Sequence, residues 1–216
     1  MFPPVELANE DGVLCQGGFL TPWSLIAAYT QGIFPWPHEG FDLLWFAPHM
    51  RGVLFFDELH VGSRLRRYLK SADFEITFNK AFGEVIRLCS QPRFYEGLWE
   101  EGTWIDEDVV ASYTELHRLG FAHSVEAWQD GQLVGGLYGV SFGLYFAGES
   151  MFHLADNASK ACVLALVDRM STRGAMWLDI ETLTPHFEKL GARLIPRDDF
   201  MTLHRVALHT PVKLFG

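Results

Sequence analysis

The stretch Leu144–Lys160, LYFAGESMFHLADNASK, decides the fold. Its opening run, Leu144-Tyr145-Phe146-Ala147, is apolar at consecutive positions, which predicts a buried strand. Gly148-Glu149-Ser150 stands at that strand's expected end, followed by Met151-Phe152. A helix is predicted after Asn157, whose side chain suits the N-cap position because it can accept from an unpaired first-turn amide. A carboxylate at a strand's end, among apolar side chains and below a helix N-terminus, predicts a pocket for a group that is part apolar and part charged.

Outward from this stretch, strands and helices alternate. Asp130-Gly131 joins two strands, His123–Trp128 and Gln132–Val140, as a tight hairpin. Met176–Glu181 and Arg193–Ile195 read as strands, and a last helix starts at Arg197. Upstream, Asp106 caps a helix that Gly120 closes, Asn79 is expected to cap a helix bearing Phe82, Val85, Ile86 and Cys89, and 91–102 reads as a loop. Thr21-Pro22 opens a helix with Trp23, Ile26, Ala27 and Thr30 on one side, and residues 1–20 read as irregular. The pattern predicts an α/β (α+β) fold: a mixed sheet with flanking helices over 58–216. A small aromatic-rich module over 1–57 is too short for its own core and must pack on the rest of the chain.

Composition bounds the function. Hydrophobic residues make up 49% and charged residues 20%, ordinary for a globular chain of 216 residues. No basic-then-apolar leader opens the chain and no apolar run approaches about 20 residues, so a cytoplasmic protein is expected rather than a secreted or membrane one. Three scattered cysteines and no ligand spacing among nine histidines predict neither zinc nor disulfides, no metal and no cofactor. Gly139–Gly143 fits G-x-S-x-G, but a strand rather than a helix comes after it, so Ser141 is read as a hairpin residue. The net charge of −10 favours a basic partner and argues against nucleic acid, unless a local basic patch overrides it.

One such patch exists. On the helix near 62–70, Leu65, Tyr68 and Leu69 share one arc while Arg64, Arg66, Arg67 and Lys70 share the other. That face is either simply solvated or contacts phosphates. Trp36 and Trp104 sit among Gly, Pro and Thr rather than in periodic segments; they are either core residues or a stacking platform for unpaired bases. Asp179 and Glu181, two apart on a predicted strand, should share a face. There they either edge the solvent or act as a paired carboxylate site, where burial together would keep one protonated and a facing cation would keep both charged.

Taken in order, GIFPW (32–36), WFAP and RGVL (45–54), EEGTWI (100–105), HSVE.W (123–128), LVGGLYGV (133–140), GESMF (148–152), NASK (157–160) and LGA.LIPR (190–197) resemble the leucyl/phenylalanyl-tRNA–protein transferases. The resemblance implies a larger domain with an N-acetyltransferase-like fold, lacking that fold's pyrophosphate loop. It implies transfer of leucine, phenylalanine or methionine from charged tRNA to the α-amine of a protein beginning with Lys or Arg, which marks that protein for degradation. It further implies an aminoacyl pocket of Glu149, Met151, Leu137, Val163, Leu166, Met170 and Leu178, and adenosine stacking by Trp36 and Trp104. The acceptor stem would lie on Arg64, Arg66, Arg67 and Lys70, and catalysis would fall to Asp179 and Glu181, in a monomer without cofactor. Glu181 stands where the family usually has Gln, and Leu166 and Met170 where it usually has Phe. Those departures leave open a related acyltransferase of altered specificity, or a lapsed module that binds tRNA or N-termini.

Overall fold

The computed structural model of the chain describes residues 1–38, 40–95, 98–100 and 103–215, with backbone alone for 93–95 and 98–100. The N-terminal part holds β1 (Val13–Gln16), α1 (Pro22–Tyr29), β2 (Phe34–Pro35) and β3 (Leu44–Phe46), the strands forming a sheet in the order β1-β3-β2. Residues 1–20 are thus not wholly irregular, since β1 finds its partner in β3. Then come β4 (Met50–Phe55), α2 (Ser63–Ser71), β5 (Glu75–Phe78), α3 (Phe82–Cys89), β6 (Arg93–Tyr95), β7 (Leu98–Glu100) and α4 (Glu107–Arg118). The chain ends with β8 (Ala122–Gln129), β9 (Gln132–Phe142), β10 (Tyr145–His153), α5 (Ala158–Thr172), β11 (Trp177–Glu181), α6 (Pro185–Glu188), β12 (Arg193–Pro196) and α7 (Arg197–His209). The predicted loop over 91–102 includes the β6–β7 pair, whose three-residue strands are too short to carry a period-two signal.

Seven strands form one mixed sheet in the order β12-β4-β11-β10-β9-β8-β5, giving the expected α/β architecture. β4, expected in the N-terminal module, sits inside this sheet, antiparallel to both β11 and β12. The β8–β9 hairpin turns through Asp130 and Gly131, both at positive φ (51° and 74°), as its two-residue turn requires. Each face of the sheet carries its own core. On one face Val85, Ile86, Tyr113, Tyr138, Tyr145 and Phe200 are buried together with Leu25, Tyr29, Phe34 and Trp45 of the N-terminal part. That module therefore shares the main core instead of building one. On the other face α5 buries Cys162, Val163, Leu166 and Met170 against Val125, Leu137, Phe146 and Leu178.

Helix starts show where local reading holds. Thr21 and Ser24 form a reciprocal capping box, and Asp106 accepts from the Val109 amide. Two expected caps differ. Asn79 adopts a left-handed conformation (φ 60°) and bonds His123 and Ser124, while Ala81 holds the N-cap of α3. Asn157 does hold the N-cap of α5, but at φ 59°, and its side-chain oxygen accepts from Lys160 rather than from an amide. On α1 the buried residues are Leu25, Ala28 and Tyr29, and Trp23 is 72% exposed; a helix apolar nearly all round gave no single face to read.

Candidate functional site

β10 and β11 are the parallel neighbours in the large sheet, and their register is a single pair, Ala147 with Asp179. Just beyond it each strand breaks register with its antiparallel partner, β10 at Gly148/Ser150 and β11 at Asp179/Glu181. Bulges of this kind bend a strand and re-aim its side chains. β10 therefore does not end at Ala147 as expected but continues to His153, with Glu149 on the bulge. The opening beyond the carboxyl end of a parallel pair is where α/β sheets place ligands.

A cavity of about 200 Å³ fills this opening. Phe34, Trp36 and Trp104 give it an aromatic side, and Leu137, Met151, Val163, Leu166, Leu178 and Ile180 an aliphatic one. Its polar lining includes Glu149, Ser150, Glu181, Thr182 and Thr184. Most residues predicted for the site therefore meet in one place. Trp36 and Trp104 border the cavity half-buried rather than sitting in the core. Met170, one helical turn past Leu166, is buried in the α5 core and does not reach the lining. Arg64, Arg66, Arg67 and Lys70 are all exposed on α2, with Leu65, Tyr68 and Leu69 turned inward, matching the expected amphipathic face.

Asp179 departs most from its expected place. Its side chain is 0% exposed and absent from the lining. Arg51, itself 1% exposed, grips it through two bonds of 2.9 and 2.7 Å, and Tyr145 donates to it at 2.7 Å. The Arg51 guanidinium lies over the Phe34 and Phe200 rings at 4.4 and 4.7 Å. Asp179 also accepts the amide of Glu181, pinning the bulge. Glu181 itself is at φ 60°, a left-handed conformation uncommon for a non-glycine residue. The bulge defeats the two-residue spacing, so the carboxylates do not share a face: Asp179 points into the core and Glu181 lines the cavity.

Glu149 is held differently. Tyr29 donates to one oxygen at 2.7 Å and Tyr113 to the other at 3.0 Å, while the two hydroxyls lie 2.5 Å apart. Three oxygen–oxygen contacts close this ring, yet two tyrosines bring two protons. The third contact is filled only when the carboxyl carries a proton of its own. Burial, against the pull of the two hydroxyls, pushes the Glu149 carboxyl up to about 7. Burial, reinforced by the charge of Glu149 and opposed by Arg51, pushes Glu181 well above the usual carboxylate range.

The sequence reading did not single out Arg51, Tyr29, Tyr113 or Tyr145. Arg51 had one signal, a cation opening an otherwise apolar strand, RGVLFF. Gly52 beside it is fixed by close approach: a Cβ there would lie 2.9 Å from the Thr182 carbonyl carbon and 3.0 Å from the Leu183 amide nitrogen. Gly52→Ala should therefore displace the Glu181 bulge, lowering stability by about 1–3 kcal/mol and the activity of this site by more than that loss explains. Thermal unfolding alongside initial rates on folded protein checks this, and unchanged rates would show the bulge tolerates the shift.

Comparison with known proteins points one way. Residues 53–205 match the family model described as leucyl/phenylalanyl-tRNA protein transferase, and residues 18–49 match the model of its N-terminal domain. A leucyl/phenylalanyl-tRNA–protein transferase of Stutzerimonas stutzeri is 48% identical over 97% of this chain and 92% of its own. A protein of the same description from Flavobacterium johnsoniae is 48% identical over 94% of each chain. Among solved structures, a ribosomal-protein-alanine N-acetyltransferase from Brucella melitensis is 15% identical, covering 66% of this chain and 96% of its own at a TM-score of 0.34. A likeness at that level adds nothing to the architecture of the seven-stranded sheet.

Proposed function

The chain belongs to the leucyl/phenylalanyl-tRNA protein transferase family and is an aminoacyltransferase, and from that premise we propose how its site handles the two substrates. The donor is an aminoacyl-tRNA, whose terminal adenosine stacks on Trp36 and Trp104. Its aminoacyl side chain (leucine, phenylalanine or methionine) enters the aliphatic side of the cavity. The observation that carries this reading is the cavity itself: one space with an aromatic and an aliphatic side and few polar groups.

The acceptor is a protein whose first residue is Lys or Arg, and the product's new N-terminus marks it for degradation. A second cavity, of about 470 Å³, shares Trp104 with the first and is lined by Asp106 and Asp108 along with Phe19 and Phe41. Carboxylates over an aromatic floor suit a cationic side chain with an apolar stem. In the reaction the α-amine attacks the ester carbonyl carbon, a C–N bond forms and the bond to the ribose 3′-oxygen breaks. The amine must lose a proton and the departing oxygen must gain one. Glu149, which lines the cavity and exchanges its proton near neutrality, takes the first and returns it to the second. Asp179 is a positioning residue: it holds Arg51 and the Glu181 amide and does not touch substrate. Positioning supplies much of the acceleration, since the ester is already activated. We propose that the protein works as a monomer.

Mass analysis of products from a pool of charged tRNAs and peptides with varied first residue tests the reading. Leucine, phenylalanine or methionine added ahead of Lys or Arg is expected, and transfer to no peptide would overturn it. The acceptor stem is proposed to run across α2, whose four cations are exposed. Replacing Arg64, Arg66 and Arg67 with Gln should weaken tRNA binding and flatten its salt dependence. The slope of log affinity against log salt should fall by up to about 0.9 for each phosphate no longer neutralised. Filter binding from low to moderate salt measures it, and an unchanged slope would return α2 to a merely solvated face.

A further inference from the structure

The buried carboxyls around the catalytic cavity outnumber the cations that could balance them. Three of them, Asp179, Glu149 and Glu181, face one guanidinium, Arg51, and Asp179 takes both of its gripping bonds. Glu149 has its two tyrosine hydroxyls. Glu181 receives no such donor: its Oε1 is cut off from solvent and has no hydrogen-bond partner, although the residue lines the cavity. A buried carboxylate oxygen without donor or counter-ion is costly, and the group avoids the cost by keeping its proton. Protonated, the carboxyl turns from acceptor into donor, and because Oε1 is shut off from solvent the proton that can reach an occupant of the cavity is one carried on Oε2.

The backbone enforces this placement. Glu181 holds a left-handed conformation at the bulge, its amide is bound by Asp179, and Gly52 leaves room for the chain to fold over β4. The groups that bear on it are Arg51 from β4, Glu149 and Tyr145 from β10, Asp179 from its own strand, Tyr29 from α1 and Tyr113 from α4. With Arg51 and Asp179 neutralising each other, the nearest uncompensated charge is that of Glu149, which disfavours a second anion. Of the other lining groups, the Thr184 hydroxyl already accepts from Phe187 as the cap of α6.

We propose that Glu181 works as an un-ionised carboxylic acid that donates a hydrogen bond to the carbonyl oxygen of the aminoacyl ester. This rests on the transfer reaction assigned to the same cavity. As the amine attacks, the carbonyl oxygen gains negative charge and the bond from Glu181 strengthens, which lowers the barrier without any net proton transfer from Glu181. The proton lost by the amine still travels through Glu149 to the 3′-oxygen, so the step balances. Glu149 and Glu181 thus divide two roles between chemically identical groups: one gives and takes a proton, the other keeps it. Transfer then depends on Glu181 staying neutral and fails on the alkaline side, where it ionises.

The test compares wild type, Glu181→Gln and Glu181→Ala, using leucyl-tRNA and a peptide beginning with Arg, from neutral to alkaline pH. Gln keeps a donor and cannot ionise. Taking the ratio of its rate to the wild-type rate cancels both the ionisation of the amine and spontaneous hydrolysis of the ester. The ratio should climb about tenfold per pH unit once Glu181 ionises, and Glu181→Ala should lose about 10²–10³-fold in kcat throughout. Above neutral pH, the infrared difference between wild type and Glu181→Gln should contain the carbonyl band of an un-ionised carboxyl. A missing band, a ratio that stays flat without that band, or a fully active Glu181→Ala overturns the proposal while leaving the transferase reading intact; a flat ratio with the band present means Glu181 stays un-ionised throughout and supports it. Absence of transfer by wild type overturns that reading, and the proposal with it.

Discussion

Arg51→Met should destabilise the protein by about 3–5 kcal/mol, among the largest effects of any single substitution here. The size comes from the charge left behind. Asp179 is 0% exposed, and without Arg51 its charge keeps the Tyr145 hydroxyl and one amide but no counter-ion. Methionine is chosen because its flexible apolar chain can fill the slot between Phe34 and Phe200, so the loss reports the charge rather than a cavity. At roughly 2–4 °C per kcal/mol for a chain of this size, the unfolding midpoint should drop by about 10 °C. The double variant Arg51→Met with Asp179→Asn removes both charges and should recover much of the loss. Thermal unfolding of the two single variants and the double one closes the cycle. A double variant no more stable than Arg51→Met alone would mean that packing, not the ion pair, is what Arg51 provides.

The parts of this fold that obey a local rule could be read from the chain. The apolar run at Leu144–Ala147, the Asp130-Gly131 turn, the caps at Thr21 and Asp106 and the two-sided α2 each depend on neighbours a few residues away. The site was legible as a set of residues and not as an arrangement. Asp179 and Glu181 were paired by the regular alternation of a strand, and a bulge is an exception to that alternation that depends on β4 and Gly52, far upstream in the chain. Arg51 and Asp179 are likewise 128 positions apart, and nothing local marks either as the other's partner. Tyr29 escaped notice for a different reason. α1 has apolar residues on nearly every side, so its buried edge is chosen by the elements that pack against it, not by its own periodicity. Met170 was placed in the pocket by the family resemblance alone; it lies one turn beyond Leu166 on α5, and the cavity lining stops short of that turn.

Glu149→Gln should remove about 10²–10⁴-fold of transfer activity while leaving the fold intact. The two halves of that expectation have the same origin. In the protonated state Glu149 donates to one tyrosine and accepts from the other, with the third contact running between the tyrosines. A glutamine amide can supply the same donor and the same acceptor, so the ring with Tyr29 and Tyr113 can still close, with one amide N–H left over. What the amide cannot do is take the proton of the attacking amine. Stability supplies an independent readout whose sign is fixed. The folded protein holds the Glu149 proton up to about 7, against an ordinary value of 4.5, so between those values the native state binds more protons than the unfolded chain. Stability contributed by this site is therefore present below about 4.5 and is lost as pH rises toward 7. Glu149→Gln abolishes that loss and should be more stable than wild type at and above neutral pH, with the difference shrinking toward acid. Denaturant unfolding across this range, beside initial transfer rates, separates the cases. A variant that is less active but keeps the wild-type pH dependence of stability would place the titrating group elsewhere. One that is as active as wild type would remove Glu149 from the path of the proton.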